Sequence, residues 1–157
     1  MTTRRLVTGW GVSAAIVLLA ATVSAQGQNP RFGKWKLKSE APAPSSNVMT
    51  YEPFGAKGMK VTVESVNAKG EKTAWSYTTE FDGQDMPVTG QDNAVTSVRT
   101  IDNRINEIIN KRNGRVTQVL TNVLSPDGDT IGVIYMRADE QGKTAGVTFA
   151  TYERMKP

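Results

Sequence analysis

The sequence of 157 residues contains no cysteine and no histidine. Without cysteine the chain has no disulfide, no thiolate nucleophile, no cysteine-bound zinc or iron–sulfur cluster, and no site for lipoprotein acylation. Without histidine it lacks the side chain that most often acts as general acid or base and most often binds metals. Histidine-based catalytic triads and zinc sites are therefore excluded. We predict a protein that is not an enzyme and that carries no cofactor and no metal.

Charge of either sign is also limited. The chain has 19 Lys and Arg residues against 15 Asp and Glu residues, a net charge of +4. Two of the basic residues, Arg4 and Arg5, lie at the very start, and without them the charge is +2. A charge this small without a basic cluster argues against nucleic acid as the partner. With 38% hydrophobic and 22% charged residues, the composition is typical of a soluble globular domain.

Long hydrophobic runs are nearly absent, and the one that exists, Gly11–Ala21, stands near the N-terminus. It follows Arg4 and Arg5 and precedes the small residues of Val23–Ala25, which is the order of a secretion signal. The run is short for a bilayer crossing, which needs about 20 apolar residues. We therefore predict a signal peptide over 1–25 that is cleaved after Ala25, with an uncleaved membrane anchor as the alternative.

This signal predicts export to the periplasm or the outside of the cell, with no stable membrane insertion after cleavage. The paired arginines are also similar to a twin-arginine signal, so the export route stays open. Residues 26–32 are predicted to form a short N-terminal arm and residues 33–157 a single domain. The sequence leaves the oligomeric state open.

Segments rich in Val, Ile, Thr, Tyr and Trp recur between turn residues, which predicts an all-β protein. Because the connections are short, neighbouring strands should pair antiparallel as an up-and-down meander. We expect about 8–10 strands that close into a barrel, since an open meander would leave two exposed edges. The nine segments are 33–39, 48–52, 59–66, 73–81, 94–101, 104–111, 115–124, 130–137 and 144–154. In Arg104–Lys111 the spacing of Ile105, Ile108 and Ile109 also fits a short helix, but two flanking turns favour a strand.

Both chain ends carry a resemblance to a known group of barrels. The opening Gly33-Lys34-Trp35 resembles the Gly-x-Trp start of the calycin superfamily, which contains the lipocalins and fatty-acid-binding proteins. The closing Thr151–Arg154 is similar to the last strand of the fatty-acid-binding branch. The resemblance implies a lipocalin-like barrel in which Trp35 closes the floor and Arg154 stacks over it as a cation–π pair. The alternative makes Trp35 an ordinary core aromatic.

The chain also resembles a group of small uncharacterised secreted bacterial proteins with the same GxWKL opening and a Trp-x-Tyr strand. It departs from fatty-acid-binding proteins at two places. Glu40–Asn47 stands where they insert two helices, so any cavity should have a more open mouth. Ala150 stands where they carry the arginine of an Arg-x-Tyr pair that binds a carboxylate, although Tyr152 is retained. The resemblance therefore implies a neutral or weakly polar ligand rather than a fatty-acid anion.

If the barrel binds a ligand, four aromatic residues are the candidates. Trp75, Tyr77 and Phe81 fall on one face of a strand, and Tyr152 should point inward above the floor with its hydroxyl as a polar anchor. The segment Arg115–Leu124 has mixed faces, which suits a partly polar cavity but also an imperfectly alternating sheet. The competing interpretation makes these aromatics a dry core.

Other polar clusters give weaker signals. The Asp-Gly segments 82–85 and 127–129 have the composition of plain turns rather than calcium loops. Glu64, Glu80 and Glu107 show no spacing that brings two carboxylates together, so we expect them on the surface. The leading hypothesis is a secreted lipocalin-like barrel that binds a small, mostly apolar, neutral molecule. The alternative is a ligand-free structural or interaction module of the cell envelope, and an enzyme of unknown reaction is third.

Overall fold

The computed structural model describes residues 29–156, which form ten β-strands. The predicted signal peptide, 1–25, lies outside the described residues. Residues 29–156 contain no helix that is long and apolar enough to cross a membrane. The strands are β1 (Gly33–Leu37), β2 (Ser46–Phe54), β3 (Gly58–Val66), β4 (Lys72–Thr79), β5 (Met86–Pro87), β6 (Ala94–Thr100), β7 (Ile105–Arg112), β8 (Arg115–Leu124), β9 (Thr130–Ala138) and β10 (Thr144–Arg154).

The strands form one antiparallel sheet in the order β4-β3-β2-β1-β10-β9-β8-β7-β6-β5. The first strand pairs with the last, with Trp35 opposite Arg154, so the meander curves round on itself. The remaining joint, between β4 and β5, is spanned by one bridge in which Ser76 and Thr89 exchange N–H···O bonds of 3.0 and 2.8 Å. The result is a nearly closed barrel, which confirms the predicted all-β meander.

The joint between β4 and β5 depends on a glycine. Gly90 follows the bridge with φ of +88°, a left-handed conformation that disfavours side chains. A Cβ at this position would lie 2.6 Å from the carbonyl oxygen of Ala74. The backbone therefore approaches β4 here more closely than any other residue type would allow.

Several strand boundaries differ from the sequence-based expectation, most of them by one or two residues. The predicted loop 82–93 contains the two-residue strand β5, because its backbone pairs with β6. Strand β2 extends beyond 48–52 to Phe54, with Pro53 placed opposite Met59. Strand β4 ends at Thr79 rather than Phe81, since Phe81 has φ of 63° and leaves the strand. The segment predicted as a strand over 104–111 forms β7, Ile105–Arg112, and not a helix.

The floor of the barrel is closed by the N-terminal arm together with the first and last strands, β1 and β10. Trp35 is fully buried, and its indole Nε1 donates a 2.8 Å hydrogen bond to the carbonyl of Arg31. The Arg31 side chain is itself buried, and its guanidinium donates to the carbonyls of Asn103 and Arg104. These contacts seal one end, so the interior opens toward the opposite end, where the β7–β8 and β9–β10 turns lie.

Candidate ligand cavity

A cavity of about 390 Å³ occupies the interior above the floor. Alternation along the strands places its lining, because every second residue of β2, β3 and β8 faces inward. One wall is apolar and belongs to β2–β4, where Met49, Val61, Val63 and Trp75 face the cavity. A volume above roughly 300 Å³ lies in the range of ligand pockets in proteins. The interior is thus not a packed core.

All four tyrosines of the chain line this cavity: Tyr51, Tyr77, Tyr135 and Tyr152. The hydroxyls of Tyr135 and Tyr152 lie 3.2 Å apart and share a hydrogen bond. The rings of Trp75 and Tyr77 are stacked, with centroids 6.0 Å apart and an interplanar angle of 15°. Each ring thus offers apolar surface to the cavity, and each hydroxyl offers a polar point.

Burial keeps these tyrosines neutral. It raises the pKa of Tyr51 to about 12, an effect partly opposed by the hydrogen bond from Asn122. Burial likewise raises the pKa values of Tyr77, Tyr135 and Tyr152 above the ordinary value for tyrosine. The deep part of the cavity therefore contains hydroxyl groups and no charge.

Two asparagines add amide groups to the wall. Asn122 is buried, and its Nδ2 donates a 3.3 Å hydrogen bond to the Tyr51 hydroxyl while its Oδ1 accepts one from Arg31. Asn47 lies nearer the mouth, and its Nδ2 donates to Ser65 Oγ over 2.7 Å. Among the described residues, the Oδ1 atom of Asn47 is a buried acceptor without a partner. Such an atom could accept a hydrogen bond from a bound molecule.

Polar side chains surround the mouth on β7–β10. We call Asn110, Gln118, Arg137 and Thr148 the rim. Asn110 Nδ2 donates a 3.0 Å hydrogen bond to Gln118 Oε1. Arg137 donates from Nη1 to Thr148 Oγ1 over 3.2 Å. The cavity is therefore apolar and hydroxyl-lined at depth, and amide- and guanidinium-lined at its mouth.

The floor pair predicted from the resemblance lies together in the structure. The Arg154 guanidinium carbon is 4.1 Å from the centroid of the Trp35 ring. Arg154 also donates to the carbonyls of Phe32 and Pro30 over 2.9 and 2.6 Å, and to that of Gly128. One side chain thereby joins the arm, β10 and the β8–β9 turn.

Three of the four predicted ligand contacts line the cavity. Trp75, Tyr77 and Tyr152 face it, and Ala150 leaves space beside Tyr152. Phe81 does not, because β4 ends two residues before it. Its ring instead lines a separate cleft of about 520 Å³ beneath the floor, together with Arg31. Phe81 therefore belongs to the floor rather than to the ligand cavity.

Sequence reasoning missed several lining residues, although the sequence carried a signal for some of them. Tyr135 lies on the same face of β9 as Ile131 and Val133, so the sequence of β9 alone indicated that its side chain points inward. The mixed face of β8 did contain Gln118 and Asn122, which both line the cavity. Arg137 falls on the same face of β9 as Tyr135, but an arginine next to a turn is usually a surface residue, so this signal was outweighed.

The remaining polar candidates are dispersed. Within residues 29–156, no group of three or more acidic side chains could hold a metal ion. Asp127 accepts hydrogen bonds from Ser125 Oγ and from the Asp129 N–H, which lower the pKa of its carboxyl. Glu64 and Glu80 are exposed, and Glu107 forms a 2.9 Å ion pair with Arg99. These groups serve turns and the surface.

The sequence matches no protein-family model and no curated protein. Solved structures do match the fold. The crystal structure of wild-type fluorescent protein UnaG aligns with a TM-score of 0.54 at 13% sequence identity, over 79% of this chain and 96% of that chain. A point mutant of UnaG aligns with a TM-score of 0.55 at 13% identity, over 82% and 98% of the two chains. The chain thus shares the fold of these structures, a nearly closed, calycin-like antiparallel barrel.

Proposed function

We propose that the protein is a carrier or binding protein that holds a small, largely apolar molecule in its interior, without catalysis. The cavity of about 390 Å³ carries this proposal, because it lies inside a barrel that seals only at its floor. Its aromatic and aliphatic wall suits apolar surface, and its hydroxyls and amides provide the few polar points that fix an orientation. The calycin fold agrees with small-molecule binding in general.

The buried part of the ligand is proposed to be neutral. Fatty-acid-binding proteins carry an arginine at the position of Ala150, so this chain has no such charge beside Tyr152. The four tyrosine hydroxyls that remain at depth are uncharged, and an ionised ligand group there would lose its hydration without a countercharge. Tyr152 is the proposed anchor for one polar group, and Trp75 and Tyr77 supply stacking surface.

Titration with an apolar fluorescent probe tests the proposal. We expect tight binding by the wild type, and a change in tryptophan emission because Trp75 lines the cavity. Trp75→Ala should weaken binding by about tenfold or more through lost aromatic contact. Tyr152→Phe should preserve the fold and weaken only probes that carry a hydrogen-bonding group.

The matched control is Trp75→Phe, which keeps an aromatic ring in the wall and should retain most of the affinity. Native mass spectrometry of the protein from its own source should show a small molecule bound to it. A wild type that binds no probe and carries no small molecule would contradict the carrier proposal.

Export is a separate proposal, supported by the order of basic, apolar and small residues over 1–25. The mature protein would then begin at Gln26, the first residue of the predicted N-terminal arm. The intact mass of the protein recovered outside the cytoplasm tests this. A membrane-bound species that retains residues 1–25 would contradict it.

A second candidate, an interaction module without a ligand, has one observation in its favour. The outer face of β9 and β10 carries no charge from Gly132 to Met136 and from Val147 to Thr151. On this face Phe149 is 76% exposed and lies opposite Ile134, while Val147 lies opposite Met136. Exposed apolar surface of this kind is typical of contact sites. Replacement of Val147, which is 50% exposed and does not line the cavity, by serine should leave probe binding intact if the carrier proposal is right.

A further inference from the structure

We infer that the rim binds an acidic group of the ligand, so that the ligand is an apolar molecule held with its anionic end toward the mouth. This inference rests on the proposed function and adds a ligand class and an orientation to it. Arg137 is the starting point. Of the described residues that line the cavity, it alone carries a charge.

The Arg137 guanidinium is not neutralised within the described chain. Its one hydrogen bond goes to a hydroxyl, Thr148 Oγ1, at 3.2 Å. No carboxylate of residues 29–156 lies within 4.0 Å of it, whereas Arg99 pairs with Glu107 and Arg154 lies near Asp129. A guanidinium has five N–H donors in a fixed fork, which matches the two oxygens of a carboxylate. Arg137 therefore retains the donors that such a group requires.

A row of directed hydrogen bonds ends beside Arg137. Thr96, Asn110, Gln118 and Arg137 are successive register partners on β6, β7, β8 and β9. Thr96 Oγ1 donates to Asn110 Oδ1 over 2.9 Å, and Asn110 Nδ2 donates onward to Gln118 Oε1.

Gln118 therefore has its acceptor occupied, while its amide N–H groups have no hydrogen bond within residues 29–156. The free N–H groups of Gln118 lie next to the guanidinium of Arg137, so both side chains can donate hydrogen bonds to the same anion. The earlier members of the row fix the orientation of the Gln118 amide. Thr96 donates to Asn110 and Asn110 donates to Gln118, so the Gln118 oxygen faces Asn110 and its N–H groups face away.

The opposite end of the cavity would reject the same group. Tyr51, Tyr77 and Tyr152 surround it with hydroxyls whose pKa values are raised by burial, and Ala150 brings no charge. A carboxylate at that depth would lose its hydration, and the nearby Arg31 guanidinium already donates to Asn122 and to the carbonyls of Asn103 and Arg104. The acidic group is therefore stable at the rim and unstable at the floor, which sets the orientation of the whole ligand.

Two probes with the same chain length separate the inference from the proposed function. Decanoate carries an acidic end, and decanol carries a neutral one. We expect the wild type at neutral pH and low salt to bind decanoate about tenfold more tightly than decanol, the size of one charge-assisted contact. The variant Arg137→Gln should bind decanoate about tenfold more weakly and decanol as the wild type does. Arg137→Lys should keep part of the preference, since it keeps the charge but not the fork.

Arg115→Gln is the matched control. Arg115 starts β8 at the same end of the barrel, but it donates to the Glu140 carbonyl and does not line the cavity. Its replacement should leave both affinities unchanged. Added salt should reduce the preference for decanoate in the wild type and have little effect on decanol.

The outcomes are distinguishable. If decanol binds as tightly as decanoate to the wild type, or if Arg137→Gln keeps the full preference, the rim inference is overturned and the proposed function stands. If neither probe binds to a folded wild type, the proposed function fails and the inference fails with it. If Arg115→Gln also removes the preference for decanoate, the preference comes from the overall positive charge near the mouth. That result would contradict a binding site at Arg137.

Discussion

Arg154 connects three segments that are distant in sequence. Its guanidinium lies on the Trp35 ring and donates to the carbonyls of Pro30, Phe32 and Gly128. The pair of Trp35 and Arg154 could be predicted because both ends of the chain resemble the calycins. The part played by Arg31 could not, since a single basic residue before the first strand gives no sign that it folds back under the barrel.

Replacement of Arg154 by lysine should destabilise the barrel. Lysine keeps the charge but cannot stack as a plane and donate to three carbonyls at once, so we expect a loss of about 3 kcal/mol in the free energy of unfolding. Urea unfolding measures this. Arg99→Lys is the control, because its exposed ion pair with Glu107 should contribute less than about 1 kcal/mol. Equal unfolding midpoints for the two variants would contradict the assigned role of Arg154.

The tyrosines predict a pH dependence at alkaline pH. Burial holds the pKa of Tyr51 at about 12 in the folded state, above the ordinary value of about 10 that applies to the unfolded chain. The folded protein therefore retains this proton while the unfolded chain has lost it. The stabilising contribution is complete below pH 10 and is lost as the pH rises from about 10 through about 12.

The shifts at Tyr77, Tyr135 and Tyr152 have the same direction. All four tyrosines should therefore remain un-ionised in the native protein near pH 10, and ionise together when it unfolds at higher pH. Tyrosinate absorbance against circular dichroism measures both events on one sample. A tyrosine that titrates near pH 10 while the β signal is unchanged would contradict the buried placement.

Strands bounded by clear turns were predictable within a residue or two, and β3, β8 and β10 show this best. In β3 the inward residues Met59, Val61 and Val63 are apolar, so alternation alone places them. The inward faces of β8 and β10 also carry polar residues, namely Gln118, Asn122 and Thr148, so there the turns and not the alternation set the bounds. The two-residue strand β5 was not predictable, because its residues Met86 and Pro87 have no alternating pattern. It exists through pairing with β6 and through the approach of Gly90 to β4, and both depend on the closed barrel. The end of β4 was predicted wrongly for a similar reason. Phe81 continues the alternating sequence pattern, but its φ of 63° takes the backbone out of the strand.

Gly90→Ala tests how the barrel closes. The added Cβ would meet the Ala74 carbonyl at 2.6 Å and would also strain a residue with positive φ. We expect a loss of about 3 kcal/mol in the free energy of unfolding, together with faster hydrogen exchange at the amides of Ser76 and Thr89. Gly83→Ala is the control, since it has φ of +79° and no atom within 4 Å of the added Cβ.

Gly83→Ala should show only the cost of the backbone conformation, about 1 kcal/mol. The exchange rates of Ser76 and Thr89 should not change in this variant. If the two variants lose the same stability, the contact between Gly90 and β4 is not what closes the barrel.

On the scale of the whole molecule, the sequence predicted a barrel but did not decide between a dry core and a cavity. Both interpretations use the same inward aromatics, and the difference depends on how much space their side chains leave. That volume follows from strand tilt and register, which no single strand reveals. Ala150 and Thr148 on β10 contribute small side chains to the wall, and the space they leave depends on the register, which places Thr148 opposite Tyr135 and Ala150 opposite Val133.

A ligand that fills the cavity should stabilise the entire barrel. At a free concentration about a hundredfold above Kd, we expect the free energy of unfolding to rise by about 2.7 kcal/mol. Thermal or urea unfolding with increasing probe measures this. The variant Ala150→Leu occupies part of the cavity and should reduce the shift while remaining folded. An equal shift in both proteins would mean that the probe binds on the outer surface instead.

The contact between the first and last strands also sets the order in which the chain can fold. Residues 30 and 32 are held by Arg154, which lies 124 and 122 positions later, and β1 pairs with β10. A growing chain therefore cannot complete the floor until its last strand has been synthesised, and contacts of such long range are slow to form. During synthesis the N-terminal segment remains without its final partner. A chain that is to be threaded through a membrane before it folds would have its interval for transport at this stage.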